Sequence, residues 1–422
     1  MNPTTLCVIG LGYIGLPTAA IFAKRGWSVI GVDVNRATVE IINRGEVHII
    51  EPDLDAAVHE VVCAGKLRAA LEPEAADAFL VAVPTPFKAN HEPDLSYIEA
   101  ASRALAPVLK RGDLIVLEST SPVGATEKMA EWLSSLRPDL RFPDPASPQV
   151  AADVFVAHCP ERVLPGNVLH ELVHNNRIIG GLTPACADRA AALYRTVAKG
   201  ECIITNARAA EMCKLAENSF RDVNIAFANE LSLVCDRLGI DVWEVIGLAN
   251  QHPRVNILQP GPGVGGHCIA VDPWFIVSSA PEESRLIRTA RLVNDTKPEW
   301  VISKVEAAVS ELAAGRDGAE AAVTVACLGL AFKADIDDLR ESPAVAIAAA
   351  LGERLLGRVV SVEPNIDALP KHLAGMIELA SVADALAVAD VIVLLVDHQP
   401  FRSIDRALIR DKAVIDTRGF WR

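Results

Sequence analysis

The chain predicts the α/β class, with two doubly wound parallel-sheet domains joined by a long central helix. Three observations carry that expectation. Short apolar runs alternate with helix-compatible stretches from Leu6 to about Ile204, and the same alternation resumes beyond about Gly315. Between the two halves, Ala207 to Leu238 contains neither glycine nor proline, as a long uninterrupted helix requires. The first apolar run, finally, leads directly into a glycine-rich turn.

That first run, Leu6 to Ile9, reads as a buried strand. It is followed by Gly10-Leu11-Gly12-Tyr13-Ile14-Gly15 and a helix-compatible stretch to Lys24, which is the order a dinucleotide site needs. Gly10 permits the tight turn, Gly12 lets backbone approach a pyrophosphate, and Gly15 lets the helix pack on the strand. A second strand, Val29 to Val32, ends in Asp33. A carboxylate there accepts hydrogen bonds from a ribose diol and repels a 2′-phosphate, so NAD is expected over NADP. The first half is therefore a Rossmann-like domain. A glycine-rich turn followed by an ordinary capping Asp is the bland alternative.

Further strands are expected at Phe79 to Val83, Leu114 to Leu117, Val154 to His158, Arg177 to Ile179 and Cys202 to Ile204. The loops following three of them carry Pro84-Thr85-Pro86, Glu118 to Gly124 and Cys159 to Gly166. Ligands of open parallel sheets bind at the carboxyl ends of strands, and turn chemistry alone explains one such loop more easily than three. On the central helix, Lys214, Asn218 and Arg221 fall at i, i+4 and i+7 and share a face. They suit a ligand cleft, although a solvated polar face has the same pattern. Glu217 is within reach of both Lys214 and Arg221 by spacing and could pair with one of them, which leaves the other for an external anion.

The segment Gly261 to Pro273 sets Cys268 at the end of a glycine-rich loop. Such a loop costs folding entropy, and its glycines allow backbone to approach a ligand beside the thiol. An inert cysteine on a tight loop is the competing reading. Beyond Ala313 to Ala321, the expected linker, strands are expected at Val323 to Leu328, Val359 to Val362, Val391 to Leu395 and Ala413 to Ile415. Gly329 to Lys333 lacks the full dinucleotide fingerprint, so this second Rossmann-like domain is expected to hold a different nucleotide. The resulting division is 1–205, 206–311 and 312–422.

Composition narrows the function classes. A formal net charge of −14 disfavours nucleic acid as a partner. At 51% hydrophobic residues the 422-residue chain has core for more than one domain, yet no apolar run approaches a membrane span. The amino-terminal apolar segment belongs to the first strand and lacks a basic region before it, so no secretory signal is expected. Nine cysteines without a C-x-x-C pair argue for reduced thiols in a cytoplasm, with neither a disulfide framework nor a metal site.

Over its whole length the chain resembles the nucleotide-sugar 6-dehydrogenases, the UDP-glucose/GDP-mannose dehydrogenase family. The matching segments are Gly10 to Pro17, Glu118-Ser119-Thr120, Cys159-Pro160-Glu161-Arg162, Lys214 to Phe220, Gly261 to Pro273 and Gly329 to Pro343. Ala82 to Lys88, His252 to Asn256 and Gly266 to Trp274 look like the branch that oxidises UDP-N-acetyl-D-mannosamine, with Ala270 standing where many relatives have proline. UDP-N-acetylglucosamine, UDP-glucose and GDP-mannose remain alternatives.

The resemblance implies oxidation of a C6 alcohol to an acid with two NAD and one water. Cys268 would form a thiohemiacetal and then a thioester, Lys214 and Asn218 would serve the oxyanion or its proton, and Glu161, Asp272 and Thr120 would orient or deprotonate water. It places Gly10, Gly12, Tyr13, Ile14, Gly15, Asp33, Thr85, Thr126 and Arg340 at the cofactor. It places Arg162, Val163, Lys214, Asn218, Arg221, His252, Arg254, Gly265, Phe332, Lys333 and Arg418 at the UDP-sugar. It further implies a homodimer, with Arg254 reaching across, and a product destined for a surface polysaccharide of the enterobacterial common antigen type. By residue reading alone, Arg340 could instead pair with Glu341 or Asp337, Phe332 could be core, and His267 is loop structure. A two-electron NAD dehydrogenase and a non-catalytic nucleotide-sugar sensor are the readings from other classes.

Overall fold

The computed structural model describes residues 5–164, 166–266, 268–315 and 322–421. Contacts divide the chain into two compact units, Met1–Glu217 with Trp274–Ala280, and Asn218–Pro273 with Pro281–Arg422.

In the first unit, strands β1 (Thr5–Ile9), β2 (Ser28–Val32), β3 (Leu67–Ala70), β4 (Ala78–Val81), β5 (Leu114–Leu117), β6 (Phe155–His158), β7 (Arg177–Gly181) and β8 (Cys202–Asn206) form one sheet. Its order is β3-β2-β1-β4-β5-β6-β7-β8. The β1, β4 and β5 strands are apolar and almost wholly buried because helices cover both faces, as parallel sheets require. One face packs Leu6, Val8, Leu80 and Val116 against Leu16, Phe22 and Tyr194. The other packs Cys7, Phe79, Val81 and Ile115 against Ile98, Leu105, Met129 and Leu133. Full burial of one such aliphatic side chain contributes about 1.5 to 3 kcal/mol.

All strand pairings in this sheet are parallel except one. The β7 strand runs antiparallel to β6, with Ala157 opposite Gly181 and His158 opposite Gly180. Alternation in sequence predicted a wholly parallel sheet and could not reveal this reversal. It also missed β3, whose sequence Leu-Arg-Ala-Ala has little apolar character.

The helix Ala207–Leu238 forms with the predicted bounds. Asn206 starts it by accepting the Ala209 amide at 2.9 Å. The helix begins in the first unit and continues into the second. In the second unit, its buried Asn229 meets Asn294 of the helix Arg285–Ala314 at 2.8 Å. Arg291 donates to Asp222 at 2.6 Å, and Asn294 donates to the same oxygen at 2.8 Å.

The second unit also holds β9 (Val325–Leu328), β10 (Val359–Val362), β11 (Glu378–Leu379), β12 (Val391–Leu394) and β13 (Ala413–Asp416), all parallel in the order β11-β10-β9-β12-β13. This repeats the 3-2-1-4-5 order of the first sheet and establishes two Rossmann-like domains. The expected linker is shorter than its composition suggested, because helix continues to Ala314. Its remaining residues 316–321 lie outside the described residues.

Candidate active site

In the first unit, the Gly10 to Gly15 turn satisfies the steric demands of a dinucleotide loop. Gly10 has φ +90°, and a Cβ there would lie 2.4 Å from the Ala82 carbonyl oxygen. A Cβ on Gly15 would be 1.8 Å from the Gly10 oxygen, so only glycine lets this helix meet the turn. Gly12 is exposed and a Cβ there would meet nothing within 4 Å. Open space at that glycine is where a pyrophosphate fits. The helix Gly15–Lys24 starts without a side-chain cap and without an acid in its first turn, leaving its positive end to an anion. Asp33 follows β2 and is half-exposed. Its two oxygens accept the Leu11 and Asn35 amides at 3.1 and 2.9 Å, and a carboxylate retains lone pairs for a ribose diol. These residues fit NAD.

Strands β1, β4, β5 and β6 are mutually parallel, so the turn at Gly10, Thr85, Thr120, Glu161, Arg162 and Val163 all follow the carboxyl ends of neighbouring strands, as expected. Thr126 is placed differently. It is fully buried, and both its amide and its hydroxyl donate to Glu211 Oε1, at 2.8 and 2.6 Å. The Gly124 amide donates to the other Glu211 oxygen at 2.7 Å. Thr126 therefore fixes the start of the helix Ala125–Leu136, its hydroxyl oxygen keeping acceptor capacity. Glu211 escaped the sequence reading, although it precedes Lys214 by three positions on the same helical face. Extending that polar stripe back one turn finds it.

Glu161 is buried, and its Oε1 accepts the Arg162 amide at 2.6 Å. Arg162 pairs with Glu217 at 2.5 Å. Glu217 was expected to neutralise a neighbour on its own helix, and it takes Arg162 instead because that guanidinium reaches it from the β6 loop. Among the described residues Lys214 and Arg221 form no ion pair. Lys214 is half-buried and Arg221 exposed.

In the second unit, Cys268 is exposed. Its carbonyl accepts the amides of Val271 and Asp272 at 3.1 and 2.8 Å, so the thiol sits one turn ahead of the helix Asp272–Ser279. Asp272 is buried and accepts the Asn218 amide at 2.5 Å. His267, beside the thiol in sequence, lies outside the described residues.

The glycines before Cys268 have a second role beyond ligand approach. A Cβ on Gly265 would lie 2.4 Å from the Glu341 carbonyl oxygen and 2.7 Å from Pro343, and one on Gly266 would strike the Phe332 ring at 3.0 Å. On Gly261 it would lie 2.6 Å from Arg418 Nη1. The glycine loop thus admits the Phe332 to Pro343 segment and Arg418, placing residues assigned to substrate on one surface.

There Lys333 is exposed, and Arg418 donates to Asp397 at 2.9 Å. Arg340 pairs with Asp338 at 2.6 Å, not with Glu341 or Asp337. His252 and Arg254 are exposed beyond the helix Val242–Ala249. At the end of β10, Glu363 accepts the Leu330 and Ala331 amides at 2.8 and 2.9 Å and meets His398 Nε2 at 3.0 Å. The acid equivalent in position to Asp33 is consumed internally, consistent with a nucleotide other than a dinucleotide.

A dinucleotide turn followed by Asp33 in one unit, and a cysteine-bearing loop seated on a second nucleotide fold in the other, define an NAD-dependent dehydrogenase acting on a nucleotide-linked substrate. The chain belongs to the UDP-glucose/GDP-mannose dehydrogenase family, matching its NAD binding domain over residues 4–198, its central domain over 208–296 and its UDP binding domain over 326–422. It is 62% identical to a UDP-N-acetyl-D-mannosamine dehydrogenase of Yersinia pestis across the full length of both chains. It is 61% identical to an NDP-N-acetyl-D-galactosaminuronic acid dehydrogenase of Ralstonia nicotianae, over 99% of this chain and 96% of the other. Among solved structures, a UDP-D-ManNAc dehydrogenase of Pyrococcus horikoshii superposes with a TM-score of 0.87 at 39% identity, covering 99% of this chain and 96% of that one. The protein is thus an NAD-dependent nucleotide-sugar dehydrogenase with a UDP-sugar substrate.

Proposed function

We propose that the protein oxidises the C6 alcohol of UDP-N-acetyl-D-mannosamine to the uronic acid, consuming two NAD and one water. The observation that carries this reading is the exposed Cys268 at the start of a helix, one turn from Asp272, which is held by Asn218. The Gly10 turn and Asp33 would hold NAD, which would supply the hydride acceptor for each oxidation.

Lys214 and Asn218, one turn apart on the central helix, take the alcohol proton or stabilise the oxyanion. Cys268 attacks the aldehyde carbon and holds it as a thiohemiacetal, so the second oxidation gives a thioester without release of aldehyde. Glu161 and Asp272, with Thr120, orient or deprotonate the water that hydrolyses it. Tyr13, Ile14, Thr85 and Arg340 complete the cofactor contacts. Arg162, Val163, Arg221, His252, Arg254, Gly265, Phe332, Lys333 and Arg418 serve the substrate, whose diphosphate suits guanidinium and ammonium groups.

We retain the three-part division 1–205, 206–311 and 312–422. A homodimer fits the exposed apolar residues Phe220, Phe227 and Val234, spaced by seven on the central helix. Among the described residues no helix is long and apolar enough to cross a membrane, and the reading places the enzyme in the cytoplasm, supplying a surface polysaccharide of the enterobacterial common antigen type.

The 61% identical Ralstonia nicotianae relative favours an N-acetylgalactosamine nucleotide as the second reading. NADH yield per sugar consumed, measured with UDP-N-acetylmannosamine, UDP-N-acetylgalactosamine, UDP-N-acetylglucosamine, UDP-glucose and GDP-mannose, decides between them. Two NADH per UDP-N-acetylmannosamine is the expected result. Turnover confined to another sugar replaces the substrate assignment.

A further inference from the structure

Beneath Glu161 lies a buried charge cluster, entirely within the first unit. Arg177 opens β7, Glu118 follows the last residue of β5, and Tyr194 ends the helix Pro184–Tyr194. The antiparallel course of β7 sets its first residue at the edge where β5 and β6 end. Arg177 Nη1 stands 3.6 Å from Glu161 Oε2, and the two side chains are 7% and 9% exposed. Its Nη2 donates to the Leu172 carbonyl at 2.9 Å, and its guanidinium lies 4.8 Å from the centre of the Tyr194 ring. The Tyr194 hydroxyl donates to Glu118 Oε1 at 2.6 Å.

Among the described residues, three atoms of this cluster, Glu118 Oε2, Glu161 Oε2 and Arg177 Nε, have no hydrogen-bond partner. One guanidinium thus serves two buried carboxylates, and uncompensated charge in such a site is costly. We propose that Arg177 is a positioning residue for Glu161, and that Glu118, by holding or releasing a proton, sets how much of the Arg177 charge Glu161 receives. The inference rests on the role given to Glu161 in water activation.

Burial, reinforced by neighbouring Glu161 and opposed by Arg177, raises the Glu118 carboxyl to about 7. The other groups around the cluster keep one charge state across the working range. Burial lifts the Cys159 thiol to about 12 and the Tyr194 hydroxyl well above its ordinary value, and it depresses His158 to about 3. Below pH 7 a protonated Glu118 leaves the cation to Glu161. At higher pH an ionised Glu118 competes for it.

The test is the acid limb of the kcat–pH profile, which reports ionisation of the base. Arg177→Met removes the opposing charge and is expected to move that limb up by about 1 pH unit, with Arg177→Lys restoring most of the shift. Glu118→Gln, which is isosteric and keeps an acceptor for Tyr194, fixes the uncharged state that Glu118 holds at low pH; it is expected to leave the acid limb in place and to abolish the change in kcat near pH 7 that ionisation of Glu118 imposes on the wild type. A limb moved by Arg177→Met together with loss of the neutral-pH change in Glu118→Gln supports the proposal, since loss of packing alone gives no such pattern. If Arg177→Met does not fold, Arg177→Lys and Glu118→Gln decide it. A limb unmoved by the Arg177 variants, or a neutral-pH profile unchanged by Glu118→Gln, overturns it. Glu161→Gln is measured in parallel: if it keeps wild-type kcat and profile, the assignment of Glu161 itself falls. If it loses turnover while the Arg177 variants leave the limb in place and Glu118→Gln leaves the neutral-pH profile unchanged, only the present inference falls.

Discussion

Gly265 and Glu341 approach so closely that a Cβ on the glycine would lie 2.4 Å from the glutamate carbonyl oxygen. Backbone oxygen cannot swing aside as a side chain does, so the loop or the segment before Pro343 must shift. Gly265→Ala is expected to destabilise the protein by about 1 to 3 kcal/mol and to lower UDP affinity. Thermal unfolding with and without UDP measures both, and an unchanged melting temperature would show that this contact is looser than the geometry states.

Of the proposed covalent route, Cys268→Ser is the most direct chemical test. A hydroxyl in place of the exposed thiol is a poorer nucleophile at neutral pH. NADH formation from UDP-N-acetyl-D-mannosamine is expected to fall by roughly a thousandfold or more, while UDP binding by calorimetry is unchanged. A serine variant with full turnover returns the chain to the two-electron dehydrogenases.

A ribose contact at Asp33 predicts that its charge separates NAD from NADP. Asp33→Asn keeps an acceptor for the Leu11 and Asn35 amides but removes the carboxylate. The NAD KM is expected to rise roughly 10- to 100-fold, as for loss of a charged hydrogen bond, and discrimination against NADP to shrink. Unchanged KM values for both cofactors would place the ribose elsewhere.

Lys297 couples stability to pH. It is buried, donates to Ser232 Oγ at 2.6 Å and lies 3.7 Å from the centre of the Trp300 ring. Burial lowers its ammonium to about 7 from an ordinary 10.5. Between these values the unfolded chain binds the proton and the folded chain does not, so this residue makes stability rise with pH across that window, by at most about 1.4 kcal/mol per pH unit. Lys297→Met removes the slope. The variant is expected to gain most over wild type at pH 6, with the difference narrowing toward pH 10 in urea titrations. A difference independent of pH would mean that Lys297 keeps its proton.

The chemistry-bearing motifs were legible before any coordinates because each obeys a local rule. A turn with φ +90° at Gly10 and a close packing at Gly15 need glycine wherever the strand-turn-helix unit occurs. A glycine-free and proline-free run yields the helix Ala207–Leu238 with its predicted bounds. Ion pairs were less legible, since Glu217 chose Arg162 from a distant loop over any cation on its own helix. Thr126 likewise bonds Glu211, 85 positions away, and no spacing rule links them.

By itself the sequence determined the two nucleotide folds, the helix joining them and the place of Cys268 at the end of a glycine loop, because periodicity and glycine placement act over a few residues. Tertiary structure alone decided that β7 runs backward, that Arg177 consequently reaches Glu161, and that the glycines before Cys268 admit Phe332, Glu341 and Pro343. Those outcomes depend on which surfaces meet after the chain has folded back on itself. A buried cation has to be matched to a carboxylate wherever the fold delivers one, and that choice is made in space, not along the chain.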